Sequence, residues 1–237
     1  MTGSGAGGVL KEGLKKRVPM LVVNVDYANG SLVAFLAANG ADVVFIDCEQ
    51  GDVSIQAIPD LVRAAHLQAT PALVRLFSPE PWVIERHLLR GVDGIVVPRL
   101  GTVEQVRAVV SEVRHGFPDR AESTSIVIQI ETVEAARAID DILAVEGVDA
   151  LFIGPVDLAK SMGHGGDYGA PPVAAEIDRL IRRIRDHGRS VGMLVTEATI
   201  ASVAAKGVNF LYLHTNDFLR VGSQRFQAAK KAAQPGA

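Results

Sequence analysis

Eight short runs rich in β-branched residues recur along the chain, each followed by a longer stretch of helical spacing. The runs are MLVVNV from Met20, ADVVFID from Ala41, PALVRLF from Pro71, GIVVPRL from Gly94, SIVIQIE from Ser125, DALFIGP from Asp149, SVGMLV from Ser190 and NFLYLHT from Asn209. Short, continuously apolar runs suit strands buried on both faces, as in a parallel sheet covered by helices. Amphipathic stretches such as IPDLVRAAHLQ and TVEQVRAVVSEVRHG lie between them, the second with Thr102 as its N-cap. Gly40, Gly91, Gly147, Gly188 and Gly207 each precede a strand, where a left-handed helix end favours glycine. Eight such units in 237 residues match a single-domain α/β fold, the (β/α)8 TIM barrel. An open doubly wound sheet usually has fewer strands and a Gly-rich turn after the first. Here GSGAGG precedes every strand and reads as a flexible tail. The expected organisation is a flexible segment over 1–18, then a barrel with a C-terminal helix over 19–237.

Composition narrows the function. With 48% hydrophobic residues the chain can bury one sizeable core, and a net charge of -3 lacks the footprint of a nucleic-acid binder. The single cysteine, Cys48, excludes an internal disulfide and a thiolate zinc cluster. No uncharged apolar stretch approaches the ~18 residues that cross a bilayer, and the basic N-terminus has no apolar region behind it. These features lead to the expectation of a soluble cytoplasmic protein with neither nucleic acid nor membrane as partner.

In a barrel of this kind the chemistry sits at the C-terminal ends of the strands. Those positions hold Asn24, Asp26, Asp47, Glu49, Arg75, Arg99, Gln129, Glu131, Asp157, Thr196 and His214. Any one acidic residue there suits an ordinary turn, but the set is more polar than a structural rim requires. Glu131 ends the apolar run IVIQIE, with Gln129 two residues earlier on the same side. A partly desolvated carboxylate there needs a cation or several donors. Asp157 follows a Gly154–Pro155 turn that opens a short helix, a place where backbone N–H groups receive an anion. Two carboxylates beside such a turn suit a hard divalent cation bound with a carboxylate substrate. Arg75 would hold the oxygen on which negative charge develops. Metal-assisted enolisation of a 2-oxo acid is the chemistry these residues suggest.

QIETVEA from Gln129 and VDALFIGPVDLAKSMG from Val148 resemble the metal-binding segments of the class II pyruvate aldolases of 4-hydroxy-2-oxoheptanedioate and 2-dehydro-3-deoxyglucarate type, in the phosphoenolpyruvate/pyruvate barrel superfamily. GADVVFIDCEQGD, TPALVRLF and GVDGIVVPRL resemble that family's second, third and fourth strands, and the likeness runs from about Pro19 to Phe226. The resemblance implies a metal-dependent carbon–carbon lyase that forms a pyruvate enolate from a small 2-oxo acid and releases an aldehyde. It implies Glu131 and Asp157 as ligands of Mg2+, Mn2+ or Co2+, with Gln129, Glu49 and Asp47 nearby. Arg75 would bind the keto oxygen, the backbone of Gly154, Pro155, Val156 and Asp157 the carboxylate, and Leu194 would line the pocket. A homo-oligomer, hexamer or trimer, with an exchanged C-terminal helix is also implied.

The chain departs from that pattern. Gln50 stands where the family has a proton-transferring histidine, and glutamine cannot act as a general base. Leu89 stands where its acidic partner is expected, counting from Arg75. Asn24 and Arg99 replace apolar residues, and the segment HGFPDRAEST before the fifth strand is short. His164, in the Gly-rich SMGHGGDYG loop, is one replacement base, although an exposed loop histidine is the plainer reading. His214 reads as a hydrogen-bonded rim residue, and Cys48 as a structural cysteine facing away from Asp47 and Glu49. Rival readings are decarboxylation of an oxaloacetate-like acid, which makes the same enolate, and a non-catalytic scaffold binding metal and oxo acid.

Overall fold

The computed structural model describes residues 5–233, and its eight parallel strands close into a barrel in sequence order. They are β1 (Met20–Asn24), β2 (Val43–Asp47), β3 (Ala72–Arg75), β4 (Gly94–Val97), β5 (Ser125–Ile130), β6 (Ala150–Ile153), β7 (Ser190–Leu194) and β8 (Phe210–His214). Closure is made by β1 against β8, in register from Met20 opposite Phe210 to Asn24 opposite His214. Each of the eight expected strands is present.

Both faces of the sheet are apolar because both are covered, which is why the strands read as continuous runs. Outward residues such as Val23, Val44, Ile46, Val74, Ile95 and Ile128 pack under the helices. These include α2 (Gly30–Ala38), α3 (Ile58–His66), α4 (Pro81–Leu88), α5 (Val103–Gly116), α9 (Pro171–Asp186) and α10 (Ile200–Ala205), with two single turns α6 (Val133–Arg137) and α7 (Ile139–Leu143) after β5. Thr102 caps α5 as expected, accepting from Gln105 N at 3.3 Å while Gln105 Oε1 accepts from Thr102 N at 3.1 Å. The five glycines before strands all carry positive φ, from 83° at Gly188 to 105° at Gly40.

Inward residues alternate with these and fill the barrel with Val22, Phe45, Leu73, Val96, Val127, Phe152, Phe210 and Tyr212. The aromatic rings meet edge to face, Phe45 to Tyr212 at 4.8 Å and Phe152 to Tyr212 at 5.3 Å between centroids. Gly192 makes room for them, since a Cβ there would lie 2.7 Å from Phe152 and 2.8 Å from Phe210.

The flexible segment expected over 1–18 is corrected. Residues Ala6–Lys16 form helix α1, which closes the barrel floor with Leu10 and Leu14 buried in the inner core. Ser190 Oγ donates to Leu14 O at 2.7 Å, and Lys11 Nζ donates to Thr124 O at 2.8 Å and pairs with Asp149 at 3.2 Å. Glycine serves contact here, because a Cβ on Gly7 would stand 2.8 Å from Ser123 O. Residues 1–4 of that segment, and 234–237 of the barrel range, lie outside the described residues. The chain continues past β8 as α11 (Thr215–Ala232), anchored where Thr215 Oγ1 donates to Asn24 O at 2.7 Å.

Candidate active site

The strands carry their alternation past the apolar core, so the uppermost inward layer is polar: Asn24, Asp47, Arg75, Gln129 and His214, interrupted by Gly154 and Leu194. These residues and the loops above them frame a cavity of about 120 Å3. Gln50, Arg75, Gln129, Phe152, Gly154, Pro155, Val156, Asp157, Leu194, Tyr212 and His214 line it.

Arg75 is fixed before any ligand arrives. Its Nε donates to Asp47 Oδ1 at 2.9 Å and its Nη2 to Asp47 Oδ2 at 2.5 Å, a two-point pair on adjacent strands. Asp47 Oδ1 also accepts from Glu49 N at 3.0 Å and Gln50 N at 3.2 Å, tying the loop after β2 to the same carboxylate. Burial pushes the Asp47 carboxyl up, but the bonds and charge of Arg75 outweigh it and hold the group below its ordinary value. Burial likewise lowers Arg75, and Asp47 more than restores it. Glu49 stands 3.3 Å from Arg75 Nε and 2.8 Å from Arg99 Nε, so it bridges the two arginines.

Glu131 lies on the other side of β4. Its Oε1 accepts from Arg99 N at 2.7 Å, and its Oε2 accepts from Gln129 Nε2. Arg99 makes that bond from a left-handed backbone, φ 61°, which is uncommon for a residue with a Cβ. Burial pushes the Glu131 carboxyl above its usual range; the Arg99 amide and Gln129 oppose this, while the charges of Glu49 and Asp157 add to it. Asp157, half-buried, pairs with Lys160 Nζ at 2.9 Å.

These groups suit a divalent cation. The charges of Glu49 and Asp157 both reach Glu131, and the buried Gln129 Oε1 and Glu49 Oε2 accept no hydrogen bond. All are hard oxygen donors of the kind Mg2+ and Mn2+ take. A Cβ on Gly154 would come 3.0 Å from Glu131 Cβ and 3.3 Å from Glu131 Oε2, so glycine keeps that side of the carboxylate open. Among the described residues no preformed cluster of three or more His, Cys, Asp or Glu ligands is assembled.

The anion-binding turn is narrower than its sequence suggests. Pro155 has no N–H, and Gly154 N already donates to Ile130 O at 3.0 Å. Helix α8 (Pro155–Ser161) begins its own ladder with Leu158 N to Gly154 O at 2.9 Å. The N–H groups of Val156 and Asp157 therefore remain for a ligand.

Two sequence expectations separate here. Leu89 caps α4 at its C-terminal end, 62% exposed, where the helix has returned to the floor of the barrel. Gln50 follows β2 at the top, so positions 50 and 89 of one chain occupy opposite ends and form no dyad. His164 lies half-buried in the turn after α8 and is not among the residues that line the cavity. Cys48 packs against the outer core as expected, its thiol pushed up to about 12 by burial and Asp47.

His214 is the histidine that reaches the cavity. Its Nδ1 lies 2.7 Å from Asp26 Oδ1, and Tyr212 OH lies 3.5 Å from its Nε2. Tyr212 escaped sequence reasoning because it reads as part of an apolar strand. Its signal was the two-residue spacing from His214, which puts both side chains inside.

Residues 21–225 match the HpcH/HpaI aldolase/citrate lyase family. A hydroxypyruvate/pyruvate aldolase of Roseovarius nubinhibens is 32% identical over 209 residues, covering 78% of this chain and 81% of that one. A 2-keto-3-deoxy-L-rhamnonate aldolase of Salmonella typhi is 28% identical over 233 residues, 88% and 87% of the two chains. The crystal structure of an HpcH/HpaI aldolase from Desulfitobacterium hafniense superposes with a TM-score of 0.83 at 25% identity, over 96% of this chain and 98% of that one. On sequence and on fold alike, the chain belongs to the HpcH/HpaI aldolase/citrate lyase family.

Proposed function

We propose that the protein is a divalent-metal-dependent carbon–carbon lyase that cleaves a small 4-hydroxy-2-oxo acid to pyruvate and an aldehyde through a pyruvate enolate. One observation carries this reading: Arg75, locked by Asp47, lines the same cavity as Gln129, Asp157 and the open N–H groups of α8, with Glu131 beside them. Family membership makes an aldolase-type lyase the natural class, and the relatives named above are aldolases.

Glu131 and Asp157 would hold the cation, and Mg2+, Mn2+ or Co2+ bound there would polarise the 2-oxo group. Val156 and Asp157 N–H receive the substrate carboxylate. The guanidinium N–H groups of Arg75 not engaged by Asp47 donate to the keto oxygen as enolate charge develops on it. Phe152 and Leu194 give an apolar wall and limit water. Gln50 borders the cavity but has no titratable nitrogen, so the site lacks the His–acid dyad of the resembled aldolases.

We read the working form as a homo-oligomer, hexamer or trimer, and its place as the cytoplasm. Among the described residues no helix is long and apolar enough to cross a membrane. Helix α11 leaves the barrel wall with Phe226 81% exposed. Beside it, Leu21, Val195, Ile200, Leu213, Phe218 and Val221 line an outer cleft of about 440 Å3, which suits a helix from a neighbour.

The test follows pyruvate release from a panel of 4-hydroxy-2-oxo acids and from oxaloacetate, with Mn2+ and with chelator. Pyruvate from a hydroxy-oxo acid, abolished by chelation, supports the reading. Release from oxaloacetate alone would replace it with a decarboxylase, and release from neither would leave a binding protein.

A further inference from the structure

The geometry points to His214 as the catalytic proton carrier of this site, oriented by Asp26, with the Tyr212 hydroxyl beside it. The inference rests on the lyase reading and supplies the base that Gln50 cannot.

Barrel closure assembles the group. β8 lies in register with β1, so His214 stands opposite Asn24, with Asp26 just beyond the end of β1. Asp26 Oδ1 lies 2.7 Å from His214 Nδ1, while its Oδ2 accepts from Asn216 N at 2.8 Å. The carboxylate is thus held at both oxygens. Asn24 Nδ2 also donates to Asp26 Oδ1, at 3.0 Å, and sits 3.1 Å from His214 Nδ1. Two donors converging on one carboxylate explain both distances, because an acceptor at Nδ1 would face the Asp26 charge without a proton between them. The imidazole therefore carries a proton on Nδ1, which leaves Nε2 as the nitrogen that can take up and give back another.

Nε2 faces the cavity. Among the described residues the polar neighbour of Nε2 is Tyr212 OH at 3.5 Å, longer than a firm hydrogen bond. The His214 side chain is 40% exposed, and it lines the cavity together with Arg75, Gln129 and Asp157. Tyr212 lies deeper: burial pushes its phenol up, Arg75 pulls it down, and Asp47 and Asp26 push it up again. It lines the same cavity as Arg75 and His214.

Nε2 takes the proton of the C4 hydroxyl, directly or through the Tyr212 O–H. As the C3–C4 bond breaks, the C4–O pair forms the aldehyde carbonyl, and the C3–C4 electrons pass through C2 to the keto oxygen at Arg75. When the aldehyde has left, the imidazolium returns its proton to C3 and pyruvate results. Nothing is oxidised or reduced overall.

His214→Asn keeps a donor toward Asp26 but supplies no base. Its aldol-cleavage turnover should fall about 100-fold or more, with the Michaelis constant changed less than about threefold and Mn2+ affinity by calorimetry unchanged. His214→Ala should recover part of its turnover with added imidazole, which a purely structural role would not produce. Exchange of the pyruvate methyl protons in D2O is read alongside, because it needs no aldehyde partner. Exchange present in the wild type and lost in His214→Asn supports the assignment; equal exchange or equal turnover in the two overturns it. A wild type that neither exchanges nor cleaves overturns the lyase reading and this inference with it.

Discussion

Asp47 holds Arg75 at two points, Nε to Oδ1 at 2.9 Å and Nη2 to Oδ2 at 2.5 Å, with both side chains almost wholly buried. A buried pair of this kind tolerates loss of one partner poorly, since the other is left charged and unpaired. Asp47→Asn is expected to cost about 3–5 kcal/mol of stability, read by denaturant unfolding. The pH dependence follows from the lowered Asp47 carboxyl. Its contribution is fully present above the unfolded aspartate value of about 3.9 and is lost as pH falls through the depressed folded value. The stability gap between wild type and Asp47→Asn should thus stay constant from neutral pH to about pH 5 and narrow only below about pH 4.

Arg75→Lys separates anchoring from stabilisation of the enolate. Lysine keeps the charge but loses the planar fork that meets Asp47 and the keto oxygen together. Turnover should fall by about 10-fold or more while the Michaelis constant rises less. Normal turnover with weakened binding would make Arg75 a substrate anchor instead.

Glu131→Gln should abolish Mn2+ binding in calorimetry and leave the metal-free barrel as stable as the wild type, or more so. The reason is the burial of that carboxylate near Glu49 and Asp157, which raises its proton affinity and makes its charge costly when no cation is present. The amide can still accept from Arg99 N, and Gln129 can turn its unpartnered Oε1 toward the new N–H. A melting temperature well below that of the wild type, or intact metal binding, would contradict this placement.

Much of this molecule can be read along the sequence, for a physical reason. Strands buried on both faces lose the polar alternation and become short apolar runs, so β1 to β8 announce themselves, as do the glycines that end the helices. Helix α1 hides because Gly5, Gly7 and Gly8 depress helix propensity, and only the four-residue spacing of Leu10 and Leu14 betrays the buried face. The strand-end positions include Asp26 and His214, but nothing local tells that they touch. Their contact spans 188 residues and exists only because β1 closes on β8. Counting from Arg75 to Leu89 misled in the opposite way, since a helix of that length carries its end back to the floor of the barrel.

Helix α11 offers a test of assembly. Phe226 is exposed on a helix that buries only Thr215 within its own chain. If a neighbour's barrel covers it, Phe226→Asp should shift the particle to a smaller mass in light scattering, with unchanged far-ultraviolet helicity. An unchanged mass would remove α11 from the interface.

The aromatic layer beneath the cavity should be as demanding as the site itself. Gly192 faces inward on β7, and a methyl group there would press on the rings of Phe152 and Phe210, at 2.7 and 2.8 Å. Neither ring has free space, because each meets another aromatic side chain, Phe152 packing on Phe210 at 5.8 Å and on Tyr212 at 5.3 Å. Overpacking a filled core typically costs about 1–3 kcal/mol, and Gly192→Ala is expected within that range by denaturant unfolding. The strain also travels upward: Tyr212 carries the hydroxyl next to His214, and Phe152 lines the cavity with Leu194. Gly192→Ala should therefore lower turnover more than its loss of stability alone accounts for, at temperatures where the variant is fully folded. Adding Phe152→Leu, which opens space beside the new methyl group, should recover stability in the double variant relative to the sum of the singles. Strict additivity of the two would show that the methyl group finds room without moving Phe152.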